Sequence, residues 1–200
     1  MPELVLASGN VKKLAELRAL LPDVGVRSQA EFGVGEAEEP FGTFVENALA
    51  KARHASRATG MPALADDSGL CVDALQGQPG VKSARYASRP EGERSDAANN
   101  ALLLAQMHGR SDRAAHFVCA LVAVRHADDP QPLIALGRWG LRVLEGPQGE
   151  GGFGYDPIVA EADTGIAVAL MGTDLKNARS HRAKAMAQLR QQMAEVWGWR

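Results

Sequence analysis

The sequence predicts an α/β protein built on a mixed β-sheet that is flanked by helices. Segments with helical spacing of apolar residues alternate with short apolar runs in the first half of the chain. The second half is mostly strand-like until a final helical segment. Interleaved helices and strands favour the α/β class over an all-helical or all-strand fold.

The first half of the chain supplies the interleaved elements. Apolar runs predict strands over residues 3–7, 24–27, 63–65 and 70–72. Helical spacing predicts helices over residues 11–21, 43–59 and 95–108. Pro22 and Gly60 are typical helix terminators and set the ends of the first two. Asp66-Asp67-Ser68-Gly69 is typical of a turn between strands.

The second half predicts paired strands followed by a helix. Residues 117–124 and 132–136 form a predicted hairpin, residues 139–144 continue the sheet, and residues 146–154 form a glycine-rich loop. A second hairpin is predicted from residues 158–160 and 166–170. An amphipathic helix begins near Ser180 and turns Met186, Leu189 and Met193 inward.

Length and charge narrow the class of protein. A chain of 200 residues favours one domain, residues 1–200, with a two-lobed arrangement also open. The net charge of -2 gives no cationic field for nucleic acid, so we expect no nucleic-acid partner. Cys71 and Cys119 show no zinc spacing and predict free thiols. Without a leader or a membrane-length apolar run, we expect a cytoplasmic protein that binds no membrane.

The first strand leads into a candidate phosphate site. Ser8-Gly9-Asn10 forms a tight turn before a helix whose first residues are Val11, Lys12 and Lys13. Free N–H groups at a helix N-terminus attract anions. Cations in the first turn oppose the helix dipole, a placement that a bound polyphosphate would explain. An ordinary helix cap with solvated lysines is the alternative.

Acidic residues predict a metal and a general base. Asp66 and Asp67 point to opposite faces of a strand, so both reach one site only if the strand bends there. A carboxylate that faces a polyphosphate holds Mg²⁺ or accepts a proton from water. Glu38 and Glu39 form a second acidic patch, and Asn47 and Lys51 share a helix face that suits a phosphate. A plain turn and a solvated acidic loop are the alternatives.

Two later segments predict a site for a purine base. Phe153 and Tyr155 lie among glycines, which suits a platform for stacking a base, although packing of the loop on the core is the alternative. Asp156 either bonds the base or sugar or fixes the turn. His181 and Arg182 open the last helix with cations, whose donors suit the O6 carbonyl of a purine and disfavour adenine. A capped helix with an exposed His-Arg pair is the alternative.

Taken in order, these segments resemble the inosine triphosphate pyrophosphatase family, also called the non-canonical purine NTP pyrophosphatases. The matching pieces span nearly the whole chain. They are Ser8-Gly9-Asn10-x-x-Lys13, Phe44-x-Glu46-Asn47-Ala48-x-x-Lys51-Ala52, Ala65-Asp66-Asp67-Ser68-Gly69-Leu70, Pro79-Gly80-Val81-x-Ser83-Ala84-Arg85-Tyr86, Gly151-Gly152-Phe153-Gly154-Tyr155-Asp156-Pro157 and Ser180-His181-Arg182.

The resemblance implies a fold, a reaction and a set of site residues. It implies two lobes on a long mixed sheet with a substrate cleft between them, a homodimer, and Mg²⁺-dependent hydrolysis of inosine, deoxyinosine and xanthosine triphosphates to a monophosphate and pyrophosphate. Asp67 and Lys51 are the implied catalytic residues, and Asp67 with Glu38 or Glu39 would hold the metal. The implied substrate contacts are Ser8, Gly9, Asn10, Val11, Lys12, Lys13, Ser68, Phe153, Gly154, Tyr155, Asp156, Lys176, His181 and Arg182.

Two rival functions are open at this point. One is a pyrophosphatase of broader nucleotide range that also acts on damaged pyrimidine nucleotides. The other is a non-catalytic nucleotide sensor on the same scaffold.

Overall fold

The computed structural model describes residues 1–88 and 94–199, and its strands form one mixed sheet. The strand order across the sheet is β2-β1-β3-β4-β5-β6. Strand β1 pairs in parallel with β2 and β3, whereas β5 and β6 are antiparallel. The strands are β1 Glu3–Leu6, β2 Gly25–Ser28, β3 Ala63–Val72, β4 Ala114–Val124, β5 Leu133–Val143 and β6 Val159–Glu161. The α/β class with a mixed sheet is confirmed.

Five α-helices lie within the described residues. They are α1 Val11–Leu20, α2 Phe44–Thr59, α3 Asp96–Met107, α4 Thr173–Arg179 and α5 His181–Gln192, which a π-helical turn at Met193–Trp197 extends. Short 3-10 helices occupy Gln29–Phe32, Asp73–Leu75, Gly80–Arg85, Asp156–Ile158 and Val168–Leu170. No helix in residues 1–88 or 94–199 is both long and apolar enough to cross a membrane.

Local capping chemistry explains the ends of α2. The Thr43 hydroxyl accepts a hydrogen bond from the Glu46 backbone N–H at 3.3 Å and donates to the Glu46 carboxylate at 2.6 Å. Gly60 ends the helix in the left-handed conformation, with φ of 69°. Both signals are local, so the predicted helix over residues 43–59 matches the observed one to within a residue.

The chain divides into two compact units. The first comprises Met1–Asp67, Cys119–Gly137 and the residues from Arg182 onward, and the second comprises Ser68–Val118 and Arg138–His181. Strands β3, β4 and β5 contribute residues to both units. The expectation of a single domain with two lobes and a cleft stays a prediction.

The first unit has a hydrophobic cluster on each face of its strands. Leu64 of β3 packs in the cluster that contains Leu17 of α1 and Met186 of α5. Its neighbours Ala63 and Ala65 pack instead in the cluster of α2 alanines. Successive strand residues alternate in this way between the two faces of a sheet. The alternation continues to the next two residues of β3, which are both aspartates.

The second unit has its own core between α3 and the sheet. Leu103 and Met107 of α3 pack with Trp139, Leu141 and Val143 of β5. Those three β5 side chains are buried, while the residues between them are exposed. The Tyr155 and Ile158 side chains belong to the same cluster, so this core supports the segment between them.

The structure differs from the predicted elements in three places. Asp66-Asp67-Ser68-Gly69 is not a turn, because β3 runs unbroken from Ala63 to Val72. Residues 166–170 do not form a hairpin strand: a single bridge joins Ala160 to Ala167, residues Val168–Leu170 are 3-10 helical, and β6 pairs with β5 instead. Helix α4 lies where no helix was predicted.

Candidate active site

Lys51 gathers three oxygen atoms around a buried ammonium group in the first unit. Its Nζ donates to Asp67 Oδ1 at 2.8 Å, to Glu39 Oε1 at 2.9 Å and to the Asp66 carbonyl at 3.0 Å. These contacts use all three N–H donors of the ammonium group. Burial opposes the charge, but Asp67 and Glu39 outweigh it and raise the pKa of Lys51. Lys51 is therefore a fixed positive charge beside Asp67.

The second oxygen of Asp67 is poised to act as an acceptor. Asp67 Oδ2 is buried and has no hydrogen-bond partner among the described residues. Burial raises the pKa of the Asp67 carboxyl, against the ion pair with Lys51, which lowers it. A buried acceptor without a partner costs folding free energy, and a raised pKa makes a carboxylate a stronger base. Asp67 Oδ2 is the group most ready to accept a proton or a cation.

The two candidate metal-binding glutamates differ in position. Glu39 shares Lys51 with Asp67, which brings the two carboxylates to one ammonium group. Glu38 is exposed. Across residues 1–88 and 94–199, no three His, Cys, Asp or Glu side chains group closely enough to hold a metal ion by themselves. Of the pair, Glu39 is the one that the structure brings to Asp67.

Asp66 organises a second buried charge cluster on the opposite face of β3. Its Oδ1 accepts from Lys13 Nζ at 2.8 Å and its Oδ2 accepts from Arg182 Nε at 2.6 Å. Arg182 Nη1 also pairs with Glu16, and the Cys119 thiol donates to Asp66 Oδ2 at 3.5 Å. Burial alone would raise the pKa of Asp66, but Arg182 and Lys13 hold it well below the usual range. Asp66 is thus an ionised anchor with 1% exposure.

Strand β3 continues through the two aspartates without interruption. They follow the ordinary alternation, so that Asp66 serves Lys13 and Arg182 while Asp67 serves Lys51. The two side chains have different ion-pair partners, and whether both act in one site stays a prediction.

The predicted phosphate turn is exposed and capped. Ser8 Oγ accepts from the Asn10 N–H at 3.1 Å, and Asn10 Oδ1 accepts from the Lys13 N–H at 3.0 Å. Val11 is 77% exposed, and Lys12 is exposed as well. A Cβ atom on Gly9 would lie 3.0 Å from Glu36 Oε1, so the absence of a side chain permits that approach. The turn meets solvent, as a phosphate site requires, and its role stays a prediction.

In the second unit, Asp156 ties the glycine-rich loop together. Its Oδ2 accepts from the Phe153 N–H at 2.9 Å and from Lys176 Nζ at 2.8 Å. Lys176 Nζ also lies 4.5 Å from the centre of the Phe153 ring, a cation–π distance. A Cβ on Gly152, whose φ is 76°, would overlap the Asp156 carboxylate. The loop therefore needs glycine at position 152 to bring Asp156 this close.

The remaining predicted base-site residues are mostly buried. The Tyr155 hydroxyl donates to the Ser83 carbonyl at 2.8 Å, and the ring packs in the core of the second unit. The His181 ring stacks on Phe117 at 4.9 Å between centroids. Ser68 is half-buried. Their proposed contacts with substrate stay predictions, as does the base-reading role of Arg182, which the structure buries in the first unit.

Sequence reasoning missed the anchoring partners. Asn47, expected to face a phosphate with Lys51, instead bonds the Phe41 backbone with both side-chain groups, at 3.0 and 3.1 Å. Glu16 was not singled out, although it lies one helical turn after Lys13. Ser83, quoted only as part of a motif, accepts from the Leu70 N–H at 2.9 Å and donates to Gly80. Asn47 and Ser83 both lie in quoted motifs, whereas Glu16 lies in none of them.

Comparison with known proteins decides the family. A family model described as the Ham1 family matches residues 4–192. The chain belongs to the Ham1 family. This membership confirms the resemblance that the ordered motifs indicate.

Relatives of this Ham1-family chain match it nearly end to end. A dITP/XTP pyrophosphatase of Ralstonia nicotianae is 59% identical over 191 residues, which cover 94% of this chain and 95% of that protein. A HAM1 protein of Coxiella burnetii has a similar structure, with a TM-score of 0.90 at 44% identity, covering 98% of this chain and all of that one. The Staphylococcus aureus Ham1 protein gives a TM-score of 0.85 at 36% identity, covering 99% and 100% of the two chains.

Proposed function

We propose that this chain hydrolyses inosine, deoxyinosine and xanthosine triphosphates to the nucleoside monophosphate and pyrophosphate, and so removes these purines from the nucleotide pool. The full-length similarity to proteins named dITP/XTP pyrophosphatase supports the reaction class and the substrates. It makes the chain a hydrolase that acts on an acid anhydride.

The observation that carries the proposal is that the two oxygen atoms of the Asp67 carboxylate have different surroundings. One oxygen is held by Lys51 at 2.8 Å, and the other is buried without a hydrogen-bond partner among the described residues. A structural aspartate is normally satisfied on both oxygens when it is buried. A raised pKa suits a general base, and an unused acceptor oxygen suits either a general base or a metal ligand.

Asp67 and the lysines have separate roles in the proposed hydrolysis. Asp67 orients a water molecule and accepts its proton as the water oxygen bonds to phosphorus. The bridging P–O bond breaks, and pyrophosphate leaves with the electron pair. Lys51 keeps the Asp67 carboxylate in place, and Lys13 with the turn from Ser8 to Lys12 offsets charge on the triphosphate.

The donor set around Asp67 fits Mg²⁺. Magnesium is usually held by one or two carboxylates together with substrate phosphates and water, rather than by a cage of protein ligands. The Asp67 and Glu39 carboxylates, which meet at Lys51, would supply that small number. Bound there, Mg²⁺ would neutralise charge that develops on the phosphate oxygens.

The predicted base-site residues are proposed to recognise the purine. Phe153 offers a ring face for stacking, and Asp156 fixes that ring through the Phe153 N–H and through Lys176. His181, together with Arg182, supplies donors suited to an O6 carbonyl, and Ser68 donates to a phosphate oxygen. An adenine amine presents a donor at the same position, so adenosine triphosphate is disfavoured.

The oligomeric state and the cellular location belong to the same proposal. We propose that the protein works as a homodimer and in the cytoplasm, as the resemblance and the sequence predict. Measuring the molar mass of the purified chain by light scattering tests the first, and the monomer mass would contradict it.

A substrate panel with and without Mg²⁺ tests the proposed function. The purified chain is expected to release pyrophosphate from deoxyinosine and xanthosine triphosphates at least about a hundredfold more efficiently than from the standard nucleotides. Equal turnover of pyrimidine nucleotides would favour the broader pyrophosphatase. Tight binding of inosine triphosphate without turnover would favour the non-catalytic sensor.

A further inference from the structure

Two side chains of α3 hydrogen-bond to the backbone of Gly154, one to its N–H group and one to its carbonyl group. The Asp96 carboxylate accepts from the Gly154 N–H at 2.8 Å, and the Asn100 amide donates to the Gly154 carbonyl at 3.0 Å. Neither residue belongs to the motifs that indicated the family. They lie 58 and 54 residues away from Gly154 in the sequence.

The spacing of the two residues makes them a matched pair. Asp96 and Asn100 are four residues apart, so their side chains lie on one face of α3. The complementary chemistry also matches, since a carboxylate only accepts and an amide nitrogen donates. Leu103, one turn further along α3, is fully buried in the core of the second unit. The helix that holds Gly154 is therefore itself anchored.

Gly154 is the residue whose orientation sets both of its neighbours. It adopts a positive φ of 62°, a conformation that glycine reaches without strain. Phe153 precedes it, and Tyr155 follows with its ring in the core. A glycine in a loop is mobile unless its backbone is bonded, and here its N–H and its carbonyl are both bonded to α3. The two bonds therefore hold the backbone next to Phe153 in one position.

We propose that Asp96 and Asn100 are positioning residues for base recognition, holding the Gly154 backbone so that Phe153 and Asp156 are set for the purine before it binds. This rests on the proposed function, because Phe153 and Asp156 are its base-site residues. Asp96 and Asn100, hydrogen-bonded to the Gly154 backbone, form what we call the clamp. Pre-ordering a binding loop lowers the entropy cost of binding, so the clamp contributes to nucleotide affinity. It contributes little to the chemical step, which belongs to Asp67 and Lys51.

Four variants test the clamp with deoxyinosine triphosphate as substrate. Asp96→Ala removes the acceptor, whereas Asp96→Asn keeps an oxygen that accepts from Gly154. Asn100→Asp replaces the donor with an oxygen that faces the Gly154 carbonyl. Ala101→Ser, at an exposed position of the same helix, is the matched control. Steady-state kinetics give KM and kcat for each, and thermal unfolding reports whether each remains folded.

The expected pattern is a change in KM and not in kcat. Asp96→Ala and Asn100→Asp are expected to raise KM about tenfold, as for loss of one hydrogen bond with a charged or buried partner, with kcat within about threefold. Asp96→Asn should return KM to within about threefold of the unaltered protein, and Ala101→Ser should match it. Rescue by asparagine is a result that helix stability alone does not produce.

The contrary results are distinct from failure of the proposed function. If the unaltered protein releases no pyrophosphate, both proposals are wrong. If it is active and Asp96→Ala keeps its KM, or if kcat falls while KM is constant, only the clamp is wrong. If Asp96→Asn is as impaired as Asp96→Ala, the hydrogen bond to Gly154 is not what matters, and the positioning role is overturned.

Discussion

Asp67→Asn keeps the shape of the side chain at position 67 but removes its charge and its basic oxygen. We expect kcat for deoxyinosine triphosphate to fall at least about a hundredfold, the lower range of a general-base contribution. Nucleotide should still bind, because Lys13 and the turn at Ser8 are unaltered. The loss should therefore appear in kcat, with KM within a few fold.

The same substitution is expected to leave stability unchanged or slightly higher. Asp67 has a raised pKa in the folded protein, so its ionisation costs folding free energy at every pH above its folded pKa. Asparagine avoids that cost and still offers Lys51 an oxygen, while Glu39 and the Asp66 carbonyl remain in place at 2.9 and 3.0 Å. A gain of up to ~1 kcal/mol corresponds to a rise of ~2–4 °C in the thermal midpoint.

Steady-state measurement of pyrophosphate release gives kcat and KM, and thermal unfolding gives the stability. Asp128→Asn makes the same chemical change at a side chain that is 88% exposed, so it serves as the matched control and should alter neither quantity. Turnover within tenfold of the unaltered protein would remove Asp67 as the base. A midpoint lowered by more than a few degrees would refute the electrostatic account of its burial.

Other changes test the neighbouring clusters and the metal. Asp66→Asn should lower the free energy of unfolding by about 3 kcal/mol, because Arg182 and Lys13 then lose the buried carboxylate that neutralises them. Because the folded pKa of Asp66 is depressed, its stabilisation is present above an unfolded pKa near 3.8 and is lost as pH falls below it; acid titration of the variant should show a shallower loss. Gly152→Ala forces the Asp156 carboxylate away and should raise KM at least about tenfold, measured by steady-state kinetics. Removing divalent cations with a chelator should abolish turnover, and added Mg²⁺ should restore it.

Local signals predicted much of the fold. The ends of α2 follow from Thr43 and Gly60. The predicted hairpin from residues 117–124 and 132–136 matches parts of β4 and β5, although β5 begins at Leu133. The turn predicted at Asp66-Asp67-Ser68-Gly69 was wrong, because these residues are extended within β3. Long-range ion pairs join Asp66 to Lys13 and Arg182, and one oxygen of Asp67 to Lys51. No pattern local to β3 indicates those partners.

The candidate site was predicted unevenly for the same reason. Lys51 and Asp67 were named from motifs, and the structure brings them to 2.8 Å. The pairing of Asp66 with Arg182 joins residues 116 positions apart, which spacing along one element cannot reveal. The clamp on Gly154 likewise depends on where α3 packs. Chemistry-bearing residues can be read from motifs, whereas the residues that hold them depend on tertiary packing.

The phosphate products of deoxyinosine triphosphate test the central claim most directly. Phosphorus NMR of the reaction, run with Mg²⁺ and the purified chain, distinguishes pyrophosphate from orthophosphate. The account predicts one pyrophosphate for each deoxyinosine monophosphate formed, with no diphosphate nucleotide. Orthophosphate together with deoxyinosine diphosphate would contradict it.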